Sequence, residues 1–344
     1  MQQDRLAWPD VTRGLGVLAV VLFHSLIWSL DAVAPSGIVT TVWDQIGSSL
    51  GRIRMPILFG LAGLLASRSL LAGRGAARVR LVANGYLYLL WLVLYGLFFF
   101  ALARPDFPHS IDTVGQWATQ LYYPTTTLWF LFALALYPLL VLLLARLRLP
   151  PWAVLLFGVG LWLLGSNLTA PLFGGALLLN FVFFAFGVHA TGWLRSFAEP
   201  GAARILLPFC AFLVAVLLTH LLGENVGILA SAAAIPLAIA CAARISAWTP
   251  AARLGAFVGS RTLSIYLLHV PLLGLWSLLP SGVLEAALAQ PLLAAVFPVL
   301  LTAVLVAGSL GIGALLRRIP TDPLLTPPAR LLAAVRSRRR AHAA

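Results

Sequence analysis

Arg13-Gly-Leu-Gly-Val-Leu-Ala-Val-Val-Leu-Phe-His24 places one imidazole at the end of an otherwise apolar run. At ~1.5 Å of rise per residue, a helix carries His24 about 16 Å beyond Arg13. Eleven steps of about 100° make three turns plus about 20°, so both side chains leave the same face. A titratable ring halfway into a bilayer, in line with a cation at one membrane surface, is a candidate functional site. A helix-packing hydrogen bond is the plainer account of such a histidine.

The composition around this helix fixes the class. The chain of 344 residues is 61% hydrophobic and only 10% charged, with a mean hydropathy of +0.98. A soluble domain carries about 25% charged residues. Apolar runs close to 20 residues recur from end to end, each long enough for about 30 Å of hydrocarbon. An all-α, polytopic membrane protein is therefore expected. The net charge of +13 is entirely arginine, with no lysine. These arginines form small clusters in alternate loops rather than one patch, as membrane topology requires and nucleic-acid binding does not. Cys210 and Cys241 lie in apolar segments without metal-ligand spacing and read as small buried hydrophobes. No cleavage site follows the first span, which is expected to be retained.

Apolar windows and breakers mark about ten transmembrane helices, at 11–30, 46–67, 81–103, 126–145, 151–166, 174–192, 203–222, 226–247, 261–279 and 292–316. Gly165-Ser166-Asn167 and Pro171 alone punctuate the fifth and sixth. With the N-terminus inside, alternate loops collect Arg5, Arg13, Arg68, Arg74, Arg78, Arg80, Arg146, Arg148, Arg195, Arg204, Arg244, Arg253 and Arg261. The opposite loops hold Arg104 with Asp31, Asp44, Asp106, Asp112, Glu224 and Glu285. This bias predicts an N-in/C-in bundle. Residues 1–316 form the membrane domain, and 317–344 a basic cytoplasmic tail suited to topology or to anionic lipid. Tryptophans near span ends, Trp8 and Trp28 among them, fit interfacial belts.

Within the spans, three further groups stand out. Arg54 lies fourteen residues before the inside marker Arg68, or about 21 Å from that surface, and Arg52 lies nearer the outside. His269 is eight residues past Arg261, about 12 Å in. His24, Arg54 and His269 thus fall in a slab about 10 Å thick if the spans form one bundle. Each charge at that depth costs at least about 2.5–3.5 kcal/mol, which directs it to the bundle interior or to a wet cavity. Tyr266, one turn from His269, offers that ring an ordinary partner, and Arg54 is also placed to snorkel outward. Asp10, three residues before Arg13, fits a helix-surface ion pair. His109, His189, His220 and His342 are weaker candidates, and no pair has zinc spacing, so no metal is expected. There is no Walker A sequence and no G-x-S-x-G elbow.

These motifs resemble the membrane-bound acyltransferase 3 family. Arg5, Trp8, Asp10, Arg13-Gly14 and His24 resemble its R…D..RG…H opening. Arg54-Met55-Pro56-Ile57-Leu58-Phe59-Gly60-Leu61-Ala62-Gly63 is similar to its R-M-P-L-F-F-F-x-S-G segment, with Ala62 where serine is usual. Arg78-Val79-Arg80 matches its basic inside loop with altered spacing. Leu128-Trp129-Phe130-Leu131, the Asn180–Gly187 stretch and Ser264-Ile265-Tyr266-Leu267-Leu268-His269-Val270-Pro271 resemble its later motifs. The hydrolase-like periplasmic domain of some members is not expected here.

The resemblance implies transfer of an acyl group, usually acetyl from acetyl-CoA, to a carbohydrate hydroxyl. Surface polysaccharide, a lipid-linked glycan and a glycosylated metabolite all suit it as acceptor. A bacterial cytoplasmic (inner) membrane, with membrane lipids as neighbours, is the expected location. Arg13, Arg78 and Arg80 on the inside suit the CoA phosphates, since guanidinium binds phosphate in bidentate fashion. A neutral His24 can take the acceptor's proton. Arg54 or His269 is then available to hold the oxyanion or orient the acceptor. Asp10 fixes Arg13, and Tyr266 supports His269. Ser25 points about 100° away from His24, so direct transfer without an acyl-enzyme is expected. The rival reading is a transporter or flippase for a lipid-linked glycan, because intramembrane His and Arg also mark substrate pathways. It lacks the pair of broken helices that such carriers show.

Overall fold

The computed structural model describes residues 7–30, 37–71, 74–103, 107–108, 110–111, 113–167, 175–319 and 322–333. Arg5, Asp31, Arg104, Asp106, His109, Asp112, Pro171, His342 and the last arginines of the tail lie outside them. Among the described residues every regular element is helical. The first is α1 (Trp8–Ser25), and Leu26–Leu30 continue it as one π-helical turn. Pro9 enters the first turn, where its missing N–H costs nothing, and Asp10 complements the positive end of the dipole. Then come α2 (Ile38–Leu71), α3 (Arg74–Leu102), α4 (Val114–Thr119), α5 (Trp129–Arg146), α6 (Pro151–Asn167) and α7 (Gly175–His189). They are followed by α8 (Thr191–Ser196), α9 (Ala203–Leu222), α10 (Gly227–Ala247), α11 (Thr249–Gly259), α12 (Thr262–Trp276), α13 (Ser281–Leu288) and α14 (Pro291–Leu316).

Each of the ten segments marked by hydropathy contains a helix. Among the described residues, seven helices are long and apolar enough to cross a membrane: α1 with its π turn, α2, α3, α5, α9, α10 and α14. An eighth is formed if α11 and α12, bent by 66° at their junction, make one span. The apolar α6 and α7 are shorter, at 17 and 15 residues. The ninth segment, expected at 261–279, contains α12; α11 precedes it at an angle, and the chain turns at Ser260–Arg261.

The chain divides into two compact units. In the first, Met1–Leu61 with Gly192–Ile312, α1 packs on α10, α11 and α12, and α9 on α10. A Cβ at Gly259 would overlap the Asp10 backbone, so α11 approaches α1 as closely as two backbones allow. In the second unit, Ala62–Thr191 with Gly313–Ala344, α3 packs on α5, α6 on α7 and α5 on α7. There a Cβ at Gly63 would overlap the Phe184 carbonyl, so Gly63 lets its helix approach the phenylalanine-rich α7 closely. The described part of the tail belongs to this unit too. Tyr86 donates to the Pro323 carbonyl at 3.0 Å and Trp91 to that of Leu324 at 2.7 Å. Cys210 is exposed and Cys241 half-buried, not the core thiols expected.

Candidate functional site

His24 and His269 meet, across 245 residues of sequence, with His24 Nδ1 2.9 Å from His269 Nε2. Both rings are buried, His269 completely. Their planes differ by 9° with centroids 5.1 Å apart, so they touch edge to edge along the hydrogen bond. His269 Nδ1 lies 2.9 Å from the Ile265 carbonyl, one turn back on α12. A carbonyl only accepts, so His269 Nδ1 carries the proton. With both rings neutral, His269 Nε2 is then the acceptor and His24 Nδ1–H the donor. The remaining nitrogen, His24 Nε2, therefore holds the lone pair. This assignment follows from the hydrogen-bond chain.

Trp28 stacks on the His24 ring, with centroids 4.4 Å apart and planes 6° from parallel. Its place near a span end suggests an interfacial belt, but it is a wall of this site instead. One turn separates it from His24 on the same helix, so the contact was legible in the spacing. The π turn begins at Leu26, just past the histidine, and such turns are frequent at functional positions. Ser25 donates to the Val21 carbonyl at 3.0 Å and accepts from Thr302 at 3.3 Å, which commits its hydroxyl to packing. Tyr266 is a tilted neighbour of His269 at 6.4 Å, while the ring nitrogens of His269 are held by Ile265 and His24.

Arg54 reaches this region through Phe23. Its guanidinium carbon lies 3.5 Å from the Phe23 ring centre, and that ring meets His24 edge-on at 5.7 Å. Its Nη1 donates to the Leu50 carbonyl at 3.1 Å, and its buried Nε has no partner among the described residues. Arg52, two residues earlier, is answered by Glu224 at 2.6 Å. The contrast shows that Arg54 does not snorkel to an acid: it is held inside by a π face.

Asp10 is buried beside Arg13 at 3.5 Å, and Arg13 Nη1 also donates to the Gly259 carbonyl at 3.2 Å. The pair thus clamps α1 to the end of α11 rather than lying loose on a helix surface. Arg78 and Arg80 belong to the second unit. Arg78 and Arg146 line a groove of about 510 Å³ walled by leucines of α5, and Arg80 lies 3.4 Å from the Ser69 hydroxyl.

A helical membrane protein with a tautomer-locked imidazole pair near a half-buried arginine has the groups that acyl transfer needs. The family model described as an acyltransferase domain matches residues 6–318, and the chain belongs to that family, acyltransferase 3. The match covers every residue of the site. No curated protein and no solved structure matches the chain. The protein is a multi-pass membrane acyltransferase.

Proposed function

We propose that it transfers an acyl group, acetyl in the first instance, from acyl-CoA to a carbohydrate hydroxyl, with His24 as general base. The observation that supports this reading is the chain Ile265 carbonyl, His269, His24, which leaves the basic lone pair on His24 Nε2. The acceptor's oxygen attacks the thioester carbonyl carbon while Nε2 takes the hydroxyl proton. As the tetrahedral intermediate collapses, the C–S bond breaks, and the imidazolium returns the proton to the departing thiolate. The products are the ester and CoA. His269 has no donor to spare, so it is a positioning residue that keeps His24 in one tautomer and orientation. Arg54, whose Nε–H has no partner among the described residues, is the donor for the oxyanion.

Arg13, anchored by Asp10 and Gly259, and Arg78 with Arg80 are assigned to the CoA phosphates on the cytoplasmic side. The acceptor is a surface polysaccharide, a lipid-linked glycan or a glycosylated metabolite, and the membrane is a bacterial inner membrane. Labelled acetyl-CoA supplied to membranes holding the protein and its glycans tests the reading. Label should move to the carbohydrate fraction with release of CoA. Glycan crossing the membrane without CoA release would favour a flippase and overturn it.

A further inference from the structure

Beside Arg54 the first unit contains an apolar slot of about 180 Å³ between α1, α2 and α10. Leu15 and Ala19 line it from α1, Ile53 and Ile57 from α2, and Ala238 and Cys241 from α10. Arg54 is its one charged group, and Thr12, which already donates to the Trp8 carbonyl at 2.8 Å, is its one hydroxyl. The α1 residues Thr12, Leu15, Gly16 and Ala19 form one helical stripe whose next turn is Phe23, where the Arg54 guanidinium rests. The charged end of the slot is therefore the end nearest His24. The α1 stripe then runs away from the imidazole pair.

We propose that this slot seats the hydrocarbon chain of the donor's acyl group, with Arg54 at the thioester carbonyl, and accepts chains of about six carbons. The size follows from volume: an apolar cavity of about 150 Å³ holds a benzene ring. The chemistry follows from polarity. A pantetheine arm brings two amides and a sugar brings several hydroxyls, and each must find a partner when buried. The slot offers one guanidinium and one hydroxyl, which are too few for either. An alkyl chain needs only apolar walls, and the carbonyl that heads it needs one donor, which Arg54, the one charged group of the slot, is placed to supply. This inference rests on the acyl-transfer reading and adds the class of donor.

Calorimetric binding of CoA, acetyl-CoA and hexanoyl-CoA to the purified full-length protein tests it, alongside Ala238→Leu and Ala19→Leu, which fill the slot from different helices. Hexanoyl-CoA should bind about tenfold or more tightly than acetyl-CoA to the parent chain, given about 0.8 kcal/mol per buried methylene. Either filled variant should lose that preference while binding acetyl-CoA within about twofold of the parent, a comparison that also reports intact folding. Equal affinity for the two esters in the parent, or a preference that survives both fillings, overturns the slot and leaves acyl transfer standing. Failure of every CoA ester to bind sinks the acyl-transfer reading, and the slot with it.

Discussion

In the second unit Tyr137 gives its hydroxyl to the Leu177 carbonyl at 2.7 Å, and Asn84 gives its amide to the Leu134 carbonyl at 3.1 Å. In the first, His24 gives its N–H to another side chain, and a neighbouring arginine keeps a buried N–H without a partner among the described residues. Both arrangements hold polar atoms at membrane depth. The first kind pairs a donor with a fixed carbonyl. The second joins two titratable rings and lies near an arginine N–H that has no partner among the described residues. A site is thus distinguished from structural hydrogen bonding by what the network leaves over, not by how polar its members are.

Substitution should break the two regions differently. His24→Ala is expected to lower kcat by about a thousandfold while the protein elutes as a folded species in detergent, the middle of the roughly 10²–10⁴-fold that a general base contributes. Near-full activity in that variant would erase the distinction between the regions. His269→Ala should cost about a hundredfold in kcat with little change in KM, since the base survives but loses its tautomer lock. His269→Gln, whose amide oxygen can accept from His24 Nδ1, should recover part of that loss and the parent's pH profile. A purely structural His269 would instead show lower thermal stability with kcat intact. Arg78→Ala with Arg80→Ala should raise the KM for acyl-CoA by about tenfold to a hundredfold, the scale of the roughly 1.5–3 kcal/mol of a charged hydrogen bond, and leave acceptor KM alone. An acceptor effect equal to the donor effect would return these arginines to topology.

Hydropathy made the helices legible, because chain length and apolar content alone decide whether a segment crosses hydrocarbon. It gave 203–222 and 226–247 to within a residue or so of α9 and α10. It started α2 eight residues late, since Thr40, Thr41, Asp44 and Gln45 dilute the apolar signal over a turn that is nonetheless helical. The short α11 and its bend into α12 fall outside the apolar windows, and Gly259 at the end of α11 lies against the Asp10 backbone, a contact between residues far apart in the chain. Depth counting from flanking arginines put His24 and His269 at similar levels. Their contact, and the seat of Arg54 on Phe23, depend on how the helices rotate against each other. A single sequence carries the period of each helix but not the match between two of them.

The smallest expected effect is also the control on the whole comparison. Tyr137 is fully buried, and its hydroxyl meets a backbone carbonyl within its own unit. Tyr137→Phe removes one donor and leaves the ring contacts with Phe181 and Phe184 in place. The Leu177 carbonyl loses that partner, so thermal stability should fall by about 1 kcal/mol. Acyl transfer per folded molecule should stay within about twofold of the parent. If instead kcat fell as far as in His269→Ala, the buried tyrosine network would be part of the catalytic apparatus. The set of groups that the chemistry depends on would then extend beyond the imidazole pair and Arg54.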